Sequence, residues 1–224
     1  MPLRAVLLDH DGTLVDSEPI HYLVWKDVLA RHGFALTEQQ YRAHYAGVPT
    51  LANAFDLVRR FGIAEDPVAL AEAKNAATRD HLARSPFPLL PGVREAIEAF
   101  AGLGLALAVV TGASAFGVNS TLRAHGLASR FAAVVSGDDV RRSKPAPDCY
   151  LQALHRLGLR ADECVAIEDT EPGVAAATAA GIRCLAVPTA MSRHHDFSRA
   201  EAVLDGMADA VACVLRLHRH EQHQ

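Results

Sequence analysis

The chain has 224 residues, half of them apolar and 21% charged, and its formal net charge is −4; this balance is typical of a globular protein with a sizeable core and argues against nucleic acid as a partner. No apolar run reaches the roughly 18 residues that a membrane span needs, so we expect no membrane partner. We also expect no signal peptide, because the first predicted strand already begins at Leu3. The four cysteines lack Cys-x-x-Cys spacing, which favours reduced thiols and a cytoplasmic location.

The first predicted strand ends in two acids. The apolar run 3–8 is followed directly by Asp9, His10, Asp11 and Gly12. Alternate residues of a strand share a face, so Asp9 and Asp11 place like charges side by side, which is costly unless a cation or a shared proton neutralises them. A surface Asp-Gly turn is the simpler alternative, but open α/β sheets bind their ligands at the carboxyl ends of such buried strands. We expect His10 to point away from both aspartates, as a buried histidine with a hydrogen-bond partner.

Residues 16–86 contain only helical patterns. Acids and an early proline at 16–19 start a helix whose apolar residues recur at helical spacing, and His21 and Trp25 share one face of it. Nothing in this block predicts a strand, and a proline-dense linker follows it. The predicted helices are 20–31, 38–45, 51–61 and 67–82.

Beyond Gly92 the sequence alternates between buried strands and helices, which predicts a parallel, doubly wound α/β sheet of the Rossmann-like type. The all-helical block is therefore an insertion. We predict a core domain of residues 1–15 and 87–224 and a helical cap domain of residues 16–86. The predicted strands after Gly92 are 105–110, 132–135, 164–167, 184–187 and 202–204, and the predicted helices are 93–101, 114–125, 147–157, 172–180 and 207–217.

Three later segments bring polar groups to predicted strand ends. Thr111 and Gly112 separate a strand from a helix, so a hydroxyl and free backbone N–H groups there can bind an anion, although helix capping alone would also place a hydroxyl at this point. Lys144 precedes a helix start made rigid by prolines. Glu168 and Asp169 end another buried strand. Hard oxygen ligands gathered at one sheet edge suit Mg²⁺.

In order and position, these segments resemble the four motifs of the haloacid dehalogenase-like (HAD) phosphohydrolases. The matches are Asp-x-Asp-Gly-Thr at 9–13, the hydroxyl motif at Thr111, Ser-Lys-Pro-x-Pro-Asp at 143–148 and Glu-Asp at 168–169. The helical insertion resembles the first type of cap in this family, and the chain is most similar to its β-phosphoglucomutase-like and sugar-phosphate phosphatase branch. The residue between the two aspartates is usually apolar in the family, so His10 departs from the pattern.

The resemblance implies a role for each acid. Asp9 would be the nucleophile that forms an aspartyl-phosphate. Asp11 would protonate the leaving alkoxide and then deprotonate the attacking water. Mg²⁺ would be bound by the carboxylates of Asp9 and Asp169 and by the backbone carbonyl of Asp11, with Glu168 acting beside the metal through water.

The resemblance also implies the groups that bind the substrate. Thr111, Gly112 and Lys144 would hold the phosphoryl oxygens and offset their charge. In the cap, His21, Trp25 and Lys74 would contact the rest of the substrate. Packing of an amphipathic cap helix explains His21 and Trp25 equally well.

The implied function is a Mg²⁺-dependent phosphatase that acts on a small phosphorylated metabolite such as a sugar phosphate, and a β-phosphoglucomutase-type mutase is the alternative. The mutase holds its second phosphate with an arginine where this chain has Thr50, which favours the phosphatase. A haloacid dehalogenase would lack the counterparts of Asp11 and the metal site. A non-enzymatic binding module is disfavoured because every catalytic position is intact. The substrate and the oligomeric state stay open.

Overall fold

The computed structural model describes residues 2–222 of the chain. Its contacts divide the chain into two compact units: residues up to Asp16 together with those from Pro88 onward form one, and Ser17–Phe87 forms the other. These boundaries lie one residue from the predicted ones.

The first unit is built on a six-stranded sheet in the order β3-β2-β1-β4-β5-β6. All five strand pairs are parallel. The predicted α/β fold with a doubly wound parallel sheet is therefore confirmed. The strands are β1 Ala5–Leu8, β2 Ala106–Val110, β3 Ala133–Val135, β4 Cys164–Glu168, β5 Arg183–Ala186 and β6 Ala202–Val203.

The second unit is all-helical in the described residues. Its second helix carries a full capping box, in which Thr37 and Gln40 satisfy each other's backbone N–H groups. The fourth begins at a proline preceded by Asp66, whose carboxylate accepts bonds from the N–H groups of Val68 and Ala69. The helices are α1 Glu18–Ala30, α2 Glu38–His44, α3 Thr50–Phe61 and α4 Pro67–Leu82.

Within residues 2–222, four helices of the first unit lie between its first five strands in sequence, as the connection of parallel strands requires, and a fifth follows the last strand. Short 3₁₀ turns at 128–130, 137–139 and 161–163 precede or follow strands and were not predicted. None of the helices within residues 2–222 is long and apolar enough to cross a membrane. The helices are α5 Val93–Gly102, α6 Ala115–Ala124, α7 Asp148–Leu157, α8 Glu171–Ala179 and α9 Met207–Gln222.

The position of β1 determines where polar groups can gather. It pairs with β2 on one side and with β4 on the other, so the loops that follow these three strands emerge together at one sheet edge. All four residues of β1 are buried, as expected of a strand covered on both faces. The strand begins at Ala5 rather than Leu3 because Ala5 is the first residue in register with both neighbours, Ala106 and Cys164.

Candidate active site

Three buried carboxylates meet where β1 and β4 end. Leu8 is in register with Ile167, and the Asp9 N–H continues the ladder by donating to the Ile167 carbonyl at 3.0 Å. Asp9 therefore lies beside Glu168 and Asp169. The three residues can each offer an oxygen within 4.8 Å of the others, and no other such group of possible metal ligands occurs in residues 2–222.

The electrostatics of this cluster are unfavourable without a cation. Burial raises the pKa of Asp9 to about 7, and the charges of Glu168 and Asp11 add to this rise while Lys144 opposes it. Burial, followed by the charges of Asp9 and Glu168, raises the pKa of Asp169 well above its usual value. The negative charges of Glu168 and Asp11 thus destabilise the ionised forms of both Asp9 and Asp169.

Two oxygens of the cluster are placed to bind a metal ion, because they have no hydrogen-bond donor within the described residues. Glu168 Oε2 and Asp169 Oδ1 are buried, and within residues 2–222 neither accepts a hydrogen bond. Buried polar atoms are normally paired, so such orphans point to a missing ligand. An all-oxygen donor set on few carboxylates is the kind that Mg²⁺ uses. The residues present therefore fit a divalent cation.

Lys144 places a positively charged side chain directly against the carboxylate cluster. Its ammonium donates to Asp9 Oδ1, to Glu168 Oε1 at 2.6 Å and to the Val110 carbonyl at 2.8 Å. Burial by itself would lower the pKa of Lys144, but the Asp9 and Glu168 carboxylates raise it above its usual value. Lys144 therefore stays charged and links the ends of β1, β2 and β4.

Tyr150 binds the same Glu168 oxygen as Lys144, a role that the sequence analysis did not predict. The Tyr150 hydroxyl donates to Glu168 Oε1 at 2.7 Å, and its ring lies 5.4 Å from the Lys144 ammonium. Tyr150 is fully buried on α7. In the sequence it is one apolar position of an amphipathic helix, and nothing marks its hydroxyl as part of a polar network.

The segment after β2 was predicted to bind an anion, and that binding stays a prediction. The Thr111 N–H donates to the Val135 carbonyl at 2.9 Å, and the Thr111 hydroxyl accepts from the Ala113 N–H at 3.0 Å. That hydroxyl keeps its own proton to donate. A Cβ on Gly112 would lie 2.8 Å from the Ser143 hydroxyl, so the absence of a side chain lets these two loops approach. Thr111 is thus held next to the carbonyl that binds Lys144.

The profile of the family described as haloacid dehalogenase-like hydrolase matches residues 6–187 of this chain. That span contains the ends of β1, β2 and β4, where the clustered polar residues lie. The chain belongs to the HAD-like hydrolases.

This HAD-like hydrolase is 32% identical to the protein CbbY of Rhodobacter capsulatus over 209 residues, which cover 90% of this chain and 92% of that one. It is 35% identical to the fructose-1-phosphate phosphatase YqaB of Escherichia coli K12 over 180 residues, which cover 80% and 93% of the two chains. The crystal structure of a CbbY variant from Rhodobacter sphaeroides with xylulose-1,5-bisphosphate superposes with a TM-score of 0.80 at 28% identity, covering 92% of this chain and 96% of that one. The predicted sugar-phosphate phosphatase branch and the predicted phosphoric monoester hydrolase class are confirmed.

His10 of this HAD-like hydrolase is buried as predicted, but its predicted orientation is wrong. Its Nδ1 lies 3.2 Å from Asp11 Oδ2, so the ring turns toward one of the aspartates. The alternation of side chains holds only inside a strand, and β1 ends at Leu8. His10 and Asp11 already belong to the loop that follows.

In the cap of the HAD-like hydrolase, the structure brings two of the three predicted substrate contacts together. The buried Lys74 ammonium donates to the Thr50 hydroxyl at 3.2 Å and lies 3.3 Å from His21 Nδ1. His21 also packs edge-on against Phe87, with ring centroids 5.2 Å apart. Trp25 is 1% exposed. Contact between any of these side chains and a substrate stays a prediction.

Two glycines leave room for the acids of the HAD-like site. Gly12 has a φ of +85°, and a Cβ on it would overlap the Asp169 carboxylate. A Cβ on Gly173, in the first turn of α8, would overlap the Glu168 carboxylate. The strand ends can therefore carry inward-facing acids only because these positions have no side chain.

We expect the substitution Gly173→Ala to weaken Mg²⁺ binding by about tenfold, the lower end of the range for loss of groups that orient metal ligands. The added methyl group would push Glu168 away from Tyr150 and Lys144, while alanine itself suits a helix. Isothermal titration with Mg²⁺ measures the effect.

The matched control is Gly102→Ala at the end of α5, where an added Cβ meets nothing within 4 Å. It should bind Mg²⁺ as the unaltered protein does. Equal affinities for both variants would show that Glu168 does not need the space at Gly173.

Proposed function

We propose that this protein is a Mg²⁺-dependent phosphatase that hydrolyses a small phosphorylated metabolite, a sugar phosphate, through an aspartyl-phosphate on Asp9. The observation that carries the proposal is the position of the Asp9 carboxylate, which is bound by the Lys144 ammonium and lies within 4.8 Å of oxygens of Glu168 and Asp169. A nucleophile at this place can attack phosphorus while fixed positive charge offsets the charge on the phosphoryl group. The xylulose-1,5-bisphosphate bound in the CbbY crystal structure and the name of the fructose-1-phosphate phosphatase YqaB support the substrate class.

The side chains divide the reaction among them. Asp9 attacks phosphorus, and Asp11 protonates the leaving alkoxide and later accepts a proton from water. Thr111 and Lys144 bind the phosphoryl oxygens. Mg²⁺ bound by Asp9, Asp169 and the Asp11 carbonyl would neutralise the carboxylates and the developing phosphoryl charge.

A phosphomutase of the β-phosphoglucomutase type is the second candidate, and the Lys74 ammonium is the observation that favours it. A mutase must hold a second phosphate in its cap, and Lys74 is a buried cation there. Its ammonium, however, already binds the Thr50 hydroxyl, and a hydroxyl offers no bidentate clamp for a doubly charged group. Hydrolysis by water is therefore the favoured outcome.

A screen of phosphorylated metabolites with Mg²⁺, read as release of inorganic phosphate, tests the phosphatase. We expect release from sugar phosphates and from p-nitrophenyl phosphate. No release from any member of the series would contradict the proposal.

A second experiment distinguishes a mutase from a phosphatase. In it, β-glucose 1-phosphate is supplied with catalytic bisphosphate, and the products are followed by phosphorus NMR. Glucose 6-phosphate that forms faster than inorganic phosphate would establish the mutase instead.

We also propose a cytoplasmic location. All four cysteines are buried free thiols. Their state supports a reducing compartment, because secreted proteins tend to pair their cysteines.

A further inference from the structure

A short turn after β3, residues 136–139, is bonded to the segment after β2, residues 111–115. We call them the β3 turn and the phosphoryl segment. The pairing of β2 with β3 continues past the strand ends, because the Thr111 N–H donates to the Val135 carbonyl at 2.9 Å. Further along, the Gly137 N–H donates to the Ala113 carbonyl at 2.8 Å. The backbone of the β3 turn is therefore attached to the phosphoryl segment.

The contact between the two is so close that it leaves no room for a side chain. A Cβ on Gly137 would lie 2.4 Å from the carbonyl oxygen of Gly112, which is backbone and cannot rotate away as a side chain could. Gly112 is one of the residues expected to hold the phosphoryl oxygens. The position of the β3 turn therefore determines where the backbone of that residue can lie.

Asp138 adds a side-chain bond to these backbone contacts. Its Oδ2 accepts from the N–H of Ala115, the first residue of α6, at 2.8 Å. The first N–H groups of a helix have no partner within the helix, and a carboxylate beside them is favoured by the helix dipole. The Ser114 hydroxyl caps the same helix by accepting from the Gly117 N–H at 3.4 Å. Asp138 thus makes the shorter of these two capping bonds, from a different loop.

The β3 turn can support its neighbour because it is itself anchored. Asp139 Oδ2 accepts from the N–H and from the hydroxyl of Ser136, at 2.8 and 2.7 Å, which closes the turn. The Arg156 guanidinium on α7 donates to the Asp139 carboxylate and to the Val134 carbonyl. The turn is therefore held to a core helix and to β3 at the same time.

We propose that Asp138 is a positioning residue for phosphoryl binding. Through its bond to Ala115 it fixes the N-terminus of α6 and thereby the Thr111 hydroxyl and the Gly112 backbone that precede it. The Ala113 N–H links the two ends of the segment, because it donates to the Thr111 hydroxyl at 3.0 Å. The proposal deepens the phosphatase function and rests on it. Asp138 acts on the phosphoryl group that all phosphate esters share, so its loss should slow them equally, whatever their leaving group.

Three measurable differences separate this role from others. A carboxylate that only stabilises α6 would affect thermal unfolding and leave phosphate affinity unchanged. A carboxylate that acts through its charge would not be replaced by asparagine, whereas a hydrogen-bond acceptor would, since the amide oxygen also accepts. General loosening would weaken Mg²⁺ binding too. The metal cluster lies at the ends of β1 and β4, whereas the β3 turn is bonded to the segment after β2.

The experiment compares the unaltered protein with Asp138→Ala and Asp138→Asn. Asp138 is exposed, so neither change removes packing from the core. Isothermal titration measures the affinity for inorganic phosphate with Mg²⁺ present, and kcat/KM is measured for a sugar phosphate and for p-nitrophenyl phosphate. We expect Asp138→Ala to lower all three by about tenfold, less than the ~10²-fold that a displacement of about 1 Å can cost. Asp138→Asn should stay within about threefold of the unaltered protein, and Mg²⁺ affinity should not change.

Asp66→Ala is the matched control. Asp66 is an exposed aspartate that caps α4 in the other unit, where it accepts from the N–H groups of Val68 and Ala69 at 2.8 and 3.2 Å. Its loss should lower the temperature of thermal unfolding as loss of a helix cap does, and should leave phosphate affinity and kcat/KM unchanged.

Two further variants test whether the effect passes through the phosphoryl segment. Gly137→Ala pushes the Gly112 carbonyl away and should weaken phosphate binding at least as much as Asp138→Ala, with Mg²⁺ affinity unchanged. In a Thr111→Val background the hydroxyl that Asp138 positions is missing, so Asp138→Ala should cost less there than in the unaltered protein.

Several results would overturn the role of Asp138. They are unchanged phosphate affinity in Asp138→Ala, an equal loss of Mg²⁺ affinity, a loss in Asp138→Asn as large as in Asp138→Ala, and the full loss in the Thr111→Val background. Phosphate affinity is measured without turnover, so these results are distinct from a failure of the proposed function. Absence of hydrolysis by the unaltered protein would instead overturn the phosphatase on which the proposal rests.

Discussion

The substitution Asp9→Asn should reduce kcat by at least about 10⁴-fold, the scale on which loss of a catalytic nucleophile acts. Asparagine has nearly the same shape as aspartate, but its amide cannot attack phosphorus or form the ion pair with Lys144. The unaltered protein should also acquire radiolabel from a labelled phosphate ester in a rapid quench, and the variant should not. Phosphate release and label incorporation are the two measurements.

The matched control is Asp162→Asn in the same unit. Asp162 forms an ion pair with Arg160 at 2.7 Å, and both side chains are exposed. An exposed surface pair of this kind contributes little to stability, so activity should not change. Turnover by Asp9→Asn within a few fold of this control would remove Asp9 as the nucleophile.

The sheet could be predicted because its strands are buried on both faces. A strand such as Ala5–Leu8 is a continuous apolar run, and Cys164–Glu168 is another that stops at an acid. The site follows from the same pattern, because the carboxyl ends of parallel strands share an edge. The strand order could not be read from the chain, since pairing between β1 and β4 depends on packing between segments about 160 residues apart.

The residues that hold the acids in place could not be predicted. Tyr150 looks like a core residue because only its hydroxyl enters the network, and Gly173 looks like a weak helix position. Each acts through the position of Glu168, and that position depends on the tertiary fold. A buried tyrosine is ordinary on an amphipathic helix, and a glycine in the first turn of a helix does not by itself indicate which side chain needs the space.

His10 shows where a rule of local geometry fails. The prediction extended the alternation of β1 to Asp11, three residues beyond the end of the strand at Leu8. Outside the hydrogen-bonded ladder the backbone turns, and neighbouring side chains can meet, as Nδ1 of His10 and Oδ2 of Asp11 do. The departure from the usual apolar residue was visible in the sequence. Its consequence was visible only in the structure.

Removal of divalent cations with EDTA should abolish turnover, and added Mg²⁺ should restore it. Asp9, Glu168 and Asp169 are buried within reach of one another, and Lys144 is the ammonium that pairs with the first two. A single ammonium leaves net negative charge where a phosphoryl group must enter. A divalent cation would offset that negative charge and let the phosphoryl group bind, so phosphate esters should not be hydrolysed without it. Full turnover in metal-free buffer would contradict the metal site.

Binding can be measured apart from turnover. Because a cation relieves repulsion that exists only in the folded state, Mg²⁺ at 100 times its dissociation constant should stabilise the protein by about 2.7 kcal/mol, which thermal unfolding detects. Asp169→Asn removes one ligand and should abolish most of that gain. Glu163→Gln is the control, since Glu163 pairs with Arg4 at 3.3 Å and is not one of the three clustered carboxylates. The gain should persist in Glu163→Gln, because its carboxylate contributes nothing to the repulsion that the metal relieves.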